Sequence, residues 1–283
     1  MRLGIDAYSY HRLLGEVRPG ERPPGDAIPG TAALLAEMVD AGGEVLSLET
    51  AFLDPPARLD AAALLDAARG LELALAWGHP HGLRWGMDAD ALEELLGWIR
   101  FAPSLGVRIV RCVAAHPALR PPGGPDRRRL EATARALHRA LAAARAGGLT
   151  LALENHGDVH AEALSWLLGA VPGLTVCLDT ANAVRVDDDP VALARAVAPR
   201  VALVHLKDVA DPAGSDLFAG PRSVAYGSGI VDLDGVLDAL PGTDDLPVCI
   251  ELGQLGGGAV DERAMVRQGI AWLAARREAG VVA

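Results

Sequence analysis

The chain has 283 residues, 51% of them hydrophobic, and a formal net charge of -11. That length and apolar share suffice for one large core, and the acidic balance disfavours a polyanion, whose phosphates are held by clustered Lys and Arg. No uncharged apolar run reaches the roughly 18 residues of a membrane span, and the opening MRLGIDAYSY has no basic region followed by an apolar stretch. A cytoplasmic protein with no nucleic-acid or membrane partner is therefore expected.

Strand-like runs occur at about residues 2–6, 44–49, 71–77, 107–114, 149–154, 174–179, 201–206 and 247–252. Helix-period segments lie between and after them, at 31–41, 60–69, 88–105, 126–146, 160–171, 190–198, 231–240 and 261–279. Strict alternation predicts an α/β protein with a parallel sheet, and eight units in this length predict one domain, 1–283, closed into a (β/α)8 TIM barrel. Returns from helix to strand are short and rich in Gly, as at Gly42-Gly43 and Gly147-Gly148, whereas the connections leaving the strands are long at 8–30, 116–125 and 209–230. Long loops on one rim are where binding groups collect. The first of them, GEVRPGERPPGDAIPG at 15–30, reads equally as a lid or as a solvated excursion.

Four strands end on ionisable groups: Glu154 after LTLAL, Asp179 after LTVCL, His205 within VALVHLKD, and Glu251 within LPVCIELG. Side chains alternate along a strand, so Glu154 shares a face with Ala152, Asp179 with Cys177, His205 with Leu203 and Glu251 with Cys249. Those small or apolar companions suit a barrel lumen. Asn155 and Asp208 have the opposite parity and are expected to tie neighbouring loops. Three carboxylates and an imidazole make an oxygen-rich set suited to one divalent ion, Mn2+ first, Mg2+ or Co2+ as alternatives. For each residue alone, a helix cap, loop anchor or backbone-bonded core imidazole is the competing reading.

Cys112, Cys177 and Cys249 lie within predicted strands without a Cys-x-x-Cys pair and read as small buried hydrophobes. Lys207 is the only lysine, against 25 arginines, and by parity it leans toward the barrel mouth. An ammonium there is a compact charge with a tunable pKa. Of eight histidines, His11, His79, His81, His116, His156 and His205 follow strand ends. With Tyr8, Glu49, Arg111 and Asn182, the first five are candidate contacts to a small polar substrate, although His11 and His81 read equally as loop hydrogen-bonders and Glu49 as a loop anchor. Trp77, Trp85 and Tyr10 are further candidates for the pocket wall.

The motifs E-N-H at 154–156, L-D-T-x-N at 178–182, H-x-K-D at 205–208 and I-E-L at 250–252 resemble the xylose-isomerase-like TIM-barrel superfamily, in the branch labelled sugar phosphate isomerase/epimerase. The likeness extends over the chain and includes the glycine turn at 227–232. It implies that Glu154, Asp179, His205 and Glu251 bind one divalent metal and that Glu154 and Glu251 form an acid/base pair. The expected reaction is isomerisation or epimerisation of a small keto-sugar or sugar acid through a metal-bound enediolate. Relative to the ketose epimerases, Asn182 replaces a His, and Lys207 and Asp208 stand where an Arg is expected.

The opening I-D-A-Y-S-Y-H resembles that of sub-branches that decarboxylate or eliminate from 3-keto sugar acids and 3-keto glycosides, which makes such a lyase, with Lys207 as an acid, the alternative. An endonuclease IV-like nuclease is disfavoured, because it needs a His at 182 and no histidine follows His205. A binding barrel with a vestigial metal site is a further, non-enzymatic reading. A homo-oligomer is compatible with the sequence, but the Ala- and Arg-rich helix faces select no interface.

Overall fold

Alternating or continuous apolar runs of four to six residues become strands because their side chains can be buried on both sheet faces. In the computed structural model, which describes residues 1–210, 221–240, 244–255 and 260–280, these are β1 (Arg2–Asp6), β2 (Val45–Glu49), β3 (Glu72–Ala76), β4 (Ile109–Val113), β5 (Thr150–Glu154), β6 (Thr175–Asp179), β7 (Val201–Leu206) and β8 (Pro247–Ile250). They pair in parallel, each with the next, and β8 pairs with β1 to close the barrel. The helices are α1 (Thr31–Asp40), α2 (Ala61–Ala67), α3 (Ala89–Phe101), α4 (Arg127–Ala146), α5 (Ala161–Ala170), α6 (Pro190–Val197), α7 (Leu233–Asp238) and α8 (Glu262–Glu278). The fold is the expected (β/α)8 barrel. None of its described helices is long and apolar enough to cross a membrane.

Part of the acidic surplus has a local structural role. Asp60, Asp88, Asp126, Asp189, Asp232 and Asp261 each accept a backbone N–H at the start of α2, α3, α4, α6, α7 and α8. An N-cap of this kind contributes about 1 kcal/mol. The helix expected over 88–105 stops at Phe101, and Ala102–Leu105 tightens into a 3-10 turn containing Pro103, which has no N–H to continue the ladder. The helix expected over 231–240 is regular only over Leu233–Asp238. β8 ends at Ile250, so Glu251 is the first residue beyond it. In the long connection at 209–230, residues 211–220 lie outside the described residues, and the rest returns through an antiparallel bridge between Val209 and Ser223.

Two apolar layers result. Most of the core lies between the sheet and the helices. A separate inner cluster of Val45, Ala74, Ile109, Ala152, Cys177, Leu203 and Cys249 fills the lumen. Ala152, Cys177, Leu203 and Cys249 are the residues whose parity matches the four ionisable strand ends, so those ends point inward over the lumen plug. All three cysteines are free and buried, and burial pushes the Cys177 thiol up to about 11.

Closure of the barrel depends on close approach between β1 and β8. Gly4 is in register with Cys249, and a Cβ at Gly4 would lie 2.4 Å from its Sγ and 3.1 Å from its Cα. Gly4→Ala should therefore destabilise the protein by about 1–3 kcal/mol through overpacking, and adding Cys249→Ala should restore part of that loss. Chemical denaturation of both variants checks this.

Candidate active site

The floor of the site is the inward-facing set at the C-terminal ends of β5 to β8. One ligand atom from each of Glu154, Asp179, His205 and Glu251 lies within 4.8 Å of the others, and all four residues are buried. Backbone ties hold the set in place. Asn155 Nδ2 donates to the Asp179 carbonyl and the Asp179 N–H donates to Asn155 Oδ1, both at 2.8 Å. Asp179 Oδ1 accepts the N–H groups of Ala181 and Asn182, leaving Oδ2 for the site. Asp208 accepts the N–H groups of Gly227 and Gly229 at 2.9 and 2.8 Å. Asn155 and Asp208 thus tie neighbouring loops, as their parity implied.

Lys207 reaches into this set, with Nζ 2.9 Å from Asp179 Oδ2 and 3.0 Å from Glu251 Oε1. Arg111 on β4 pairs with Glu154 and lies 3.8 Å from Glu49 Oε2. Asn182 Nδ2 donates to Glu154 Oε1 at 3.2 Å. Asp6 at the end of β1 accepts the Ser47 hydroxyl at 2.6 Å and stands 3.6 Å from His205 Nε2. Asp6 was not singled out from sequence, yet it carries the same signal as Glu154: an acid ending an apolar strand.

Five carboxyl groups, Asp6, Glu49, Glu154, Asp179 and Glu251, are buried here with three basic groups, Arg111, His205 and Lys207. If all are ionised, two negative charges remain unbalanced. Burial pushes Glu49 up to about 8 and Glu154 up to about 7, although Arg111 opposes both shifts. Glu251 moves the other way. Burial would raise it too, but Lys207 and His205 hold it well below the usual carboxylate range. The two carboxyls are thus driven apart, the pattern of an acid and a base.

The donors fit a divalent cation. Glu154 Oε2, Glu251 Oε2 and both His205 ring nitrogens are buried without an aligned hydrogen bond, although Glu154 Oε2 pairs with Arg111 Nε and His205 Nδ1 lies 2.7 Å from Glu251 Oε2 and 3.6 Å from Glu154 Oε2. Each unsatisfied buried polar group costs about 1–3 kcal/mol. A dication shared by these atoms would remove that cost and balance the two surplus charges.

Above the floor opens a cavity of about 420 Å³. Of the predicted contacts, Tyr8, Glu49, His79, Arg111, His116, His156 and Asn182 line it, as do Lys207 and Glu251. Glu154, Asp179 and His205 are fully buried and are not among its lining residues. His11 is not on the wall: it stacks behind Tyr8 at 5.0 Å and binds Glu21 at 3.1 Å. His81 is exposed outside the cavity, with its ring 6.1 Å from His79. Trp77 joins the wall and stacks with His79 at 5.3 Å. Trp85 and Tyr10 are instead core residues; the Trp85 indole donates to the Leu119 carbonyl. Glu16, Arg18, Arg185 and Gln254 also line the cavity. They come from long loops, where no periodicity marks direction.

A family model described as xylose isomerase-like TIM barrel matches residues 35–276. The chain belongs to that family. No sequence match is found among curated proteins. Solved structures similar to the chain include an L-ribulose 3-epimerase, 20% identical over 100% of this chain and 98% of that one, with a TM-score of 0.70. The probable 3-DHS dehydratase involved in petrobactin synthesis from Bacillus anthracis is 14% identical over 97% and 99% of the two chains, with a TM-score of 0.72. A xylose isomerase-like TIM barrel protein from Mycobacterium smegmatis in complex with magnesium is 16% identical over 100% and 98%, with a TM-score of 0.71. At these identities the likeness is one of fold.

In this member of the xylose isomerase-like family, the 15–30 loop is fastened beside the cavity, which its Glu16 and Arg18 help to line. The Tyr8 hydroxyl donates to Glu16 and accepts from Arg18. Glu21 accepts the N–H of Leu255 at 2.8 Å and that of Arg18 at 2.9 Å. Burial would raise the Glu21 carboxyl, but these bonds and His11 lower it to about 2. A depressed carboxylate contributes stability above its ordinary value of 4.5 and loses that contribution as pH falls toward about 2. Glu21→Gln should speed amide exchange at Leu255 and Arg18 by weakening the fastening by about 1 kcal/mol or more. The difference between the wild-type and Glu21→Gln melting temperatures should narrow as the pH falls from 4.5 toward about 2.

Proposed function

We propose that the protein is a divalent-metal-dependent isomerase or epimerase of a small keto-sugar or sugar acid. The observation that carries this reading is the buried set of Glu154, Asp179, His205 and Glu251 at the base of the cavity. A divalent ion held by these four residues, Mn2+ by preference with Mg2+ or Co2+ as alternatives, supplies Lewis acidity toward a substrate carbonyl and its neighbouring hydroxyl. Glu251, which opens to the cavity and is held ionised, takes the proton from the carbon beside the carbonyl.

Return of that proton from Glu251 to the former carbonyl carbon, on the same face, together with passage of the neighbouring hydroxyl proton to the former carbonyl oxygen, moves the carbonyl. If Glu251 keeps that proton and a protonated Glu154 delivers its own to the opposite face of the original carbon, the configuration there is inverted. Burial raises the Glu154 carboxyl to about 7 before any ion is bound, which favours it over Glu251 as the group that carries a proton. Because Glu251 lines the cavity whereas Glu154 is fully buried against Arg111 and Asn182, one-face transfer by Glu251 is the favoured reading. Trp77 and His79 offer a flat face to the sugar, and His116 and Asn182 offer hydrogen bonds to its hydroxyls.

One observation favours the lyase or decarboxylase as a second reading. Lys207 Nζ, 3.0 Å from Glu251 Oε1, places an ammonium beside the base. Burial would lower the pKa of Lys207, but Asp179 and Glu251 raise it above the ordinary lysine value, so there it would stabilise charge developing on a leaving hydroxyl or aglycone of a 3-keto sugar derivative as a fixed cation. Irreversible release of water, CO2 or an aglycone distinguishes that reaction.

The metal-loaded protein should exchange a substrate C–H for deuterium from D2O, followed by NMR over a panel of ketoses, keto-acids and inososes. Glu251→Gln should slow exchange by about 10²–10⁴-fold. Asp179→Asn should lose bound metal by elemental analysis. Absence of exchange across the panel by protein carrying a stoichiometric ion counts against the proposal.

A further inference from the structure

Each carboxylate of the inward set is in contact with a basic side chain, but the two longest of these are held differently. Arg111 pairs with Glu154, donates to the Trp77 carbonyl at 3.2 Å and lies 3.8 Å from Glu49, so its planar fork is fixed by several residues. Lys207 Nζ donates to Asp179 Oδ2 at 2.9 Å and to Glu251 Oε1 at 3.0 Å. Those two carboxylates are its only hydrogen-bond partners among the described residues.

The oxygens that hold this ammonium are ones that a divalent ion in the same set would draw on. Asp179 Oδ1 accepts the N–H groups of Ala181 and Asn182, both at 2.8 Å, which leaves Oδ2 to face a cation. At Glu251, Oε2 stands 2.7 Å from His205 Nδ1, so the imidazole and the ammonium divide the carboxylate between them. Two cations sharing one acceptor oxygen in a buried site repel each other strongly. The backbone of Lys207 is fixed, because Thr180 accepts its N–H at 2.9 Å and donates to its carbonyl at 2.7 Å. Its side chain has room. Lys207 lines the cavity and passes Gly253, where an added Cβ would stand 3.8 Å from its Cδ and 3.9 Å from its Nζ.

The residue type agrees with this placement, since Lys207 is the only lysine, against 25 arginines. A guanidinium would lock onto a carboxylate through its fork, whereas an ammonium on a flexible stem is a compact charge able to leave one. We propose that Lys207 competes with a divalent ion for Asp179 Oδ2 and Glu251 Oε1, and that its ammonium turns into the cavity when the ion takes those oxygens. The proposal rests on the reading of the inward set as a metal site. It makes ion loading and the presentation of a positive charge to the substrate a single event. It also favours dications, because a monovalent ion gains no more charge attraction from these oxygens than the ammonium gives up.

The single lysine makes a direct test possible. Protein carrying isotope-labelled lysine and loaded with Mg2+ should show no protected ammonium signal by NMR. Removal of the ion with EDTA should bring that signal up, and KCl at matched ionic strength should leave it in place. In competition with EDTA, Lys207→Met should hold Mn2+ about tenfold tighter than wild type or more. A protected ammonium signal that persists with stoichiometric Mg2+ overturns the proposal, as does a folded Lys207→Met protein that holds Mn2+ no tighter. The NMR measurement uses the native chain and decides the matter if the variant does not fold. Stoichiometric Mg2+ with an unmoved lysine signal removes the competition and leaves the metal-dependent reading standing. Failure of both proteins to retain an ion removes that reading and the competition with it, whereas lysine release without C–H exchange on any substrate removes the enzymatic reading alone.

Discussion

The structure depends on the concentration of five buried carboxyl groups at one end of a barrel. Parallel strands all present their C-terminal ends to the same rim, so acids that end β1, β2, β5 and β6, with Glu251 just past β8, cannot avoid one another. Each uncompensated buried charge would cost several kcal/mol. Arg111, Lys207 and His205 are arranged to reduce that cost, and their contacts pass through the carboxylates themselves. The same pairs that make the fold tolerable give the site its asymmetry, because Lys207 and His205 favour ionised Glu251 while burial leaves Glu154 able to hold a proton.

Around this charged floor the connecting loops are held by local hydrogen bonds. Thr180 accepts the Lys207 N–H at 2.9 Å and donates to the Lys207 carbonyl at 2.7 Å, so the loop after β6 braces the strand end that carries the lysine. Asn155 braces Asp179 in the same way from β5, and Asp208 organises the glycine turn before α7. Such ties explain why residues of non-lumen parity matter to a lumen site. They fix the direction of ionisable neighbours that would otherwise relax away from one another.

The cavity joins two electrostatic regions of opposite character. Its base is acidic and suited to a divalent ion, whereas its lining also includes Arg18, Arg185, His116 and His156. The fastened first loop contributes Tyr8's partners, Glu16 and Arg18, to the cavity lining.

Periodicity, turn residues and strand parity made the barrel, its lumen companions and the four inward groups legible in the sequence, because each follows from the geometry of a single element. Asp6 was legible by the same rule and was passed over. Loop residues followed no such rule: Tyr8 and His11 look alike in sequence, yet one faces the cavity and the other packs behind it against Glu21. Only the tertiary structure decided that Glu154 is buried against Arg111, that Lys207 bridges Asp179 and Glu251, and that Arg18 and Arg185 both line the cavity. Those outcomes depend on how long side chains from separate strands and loops meet in space, and no repeat along one chain segment encodes that meeting.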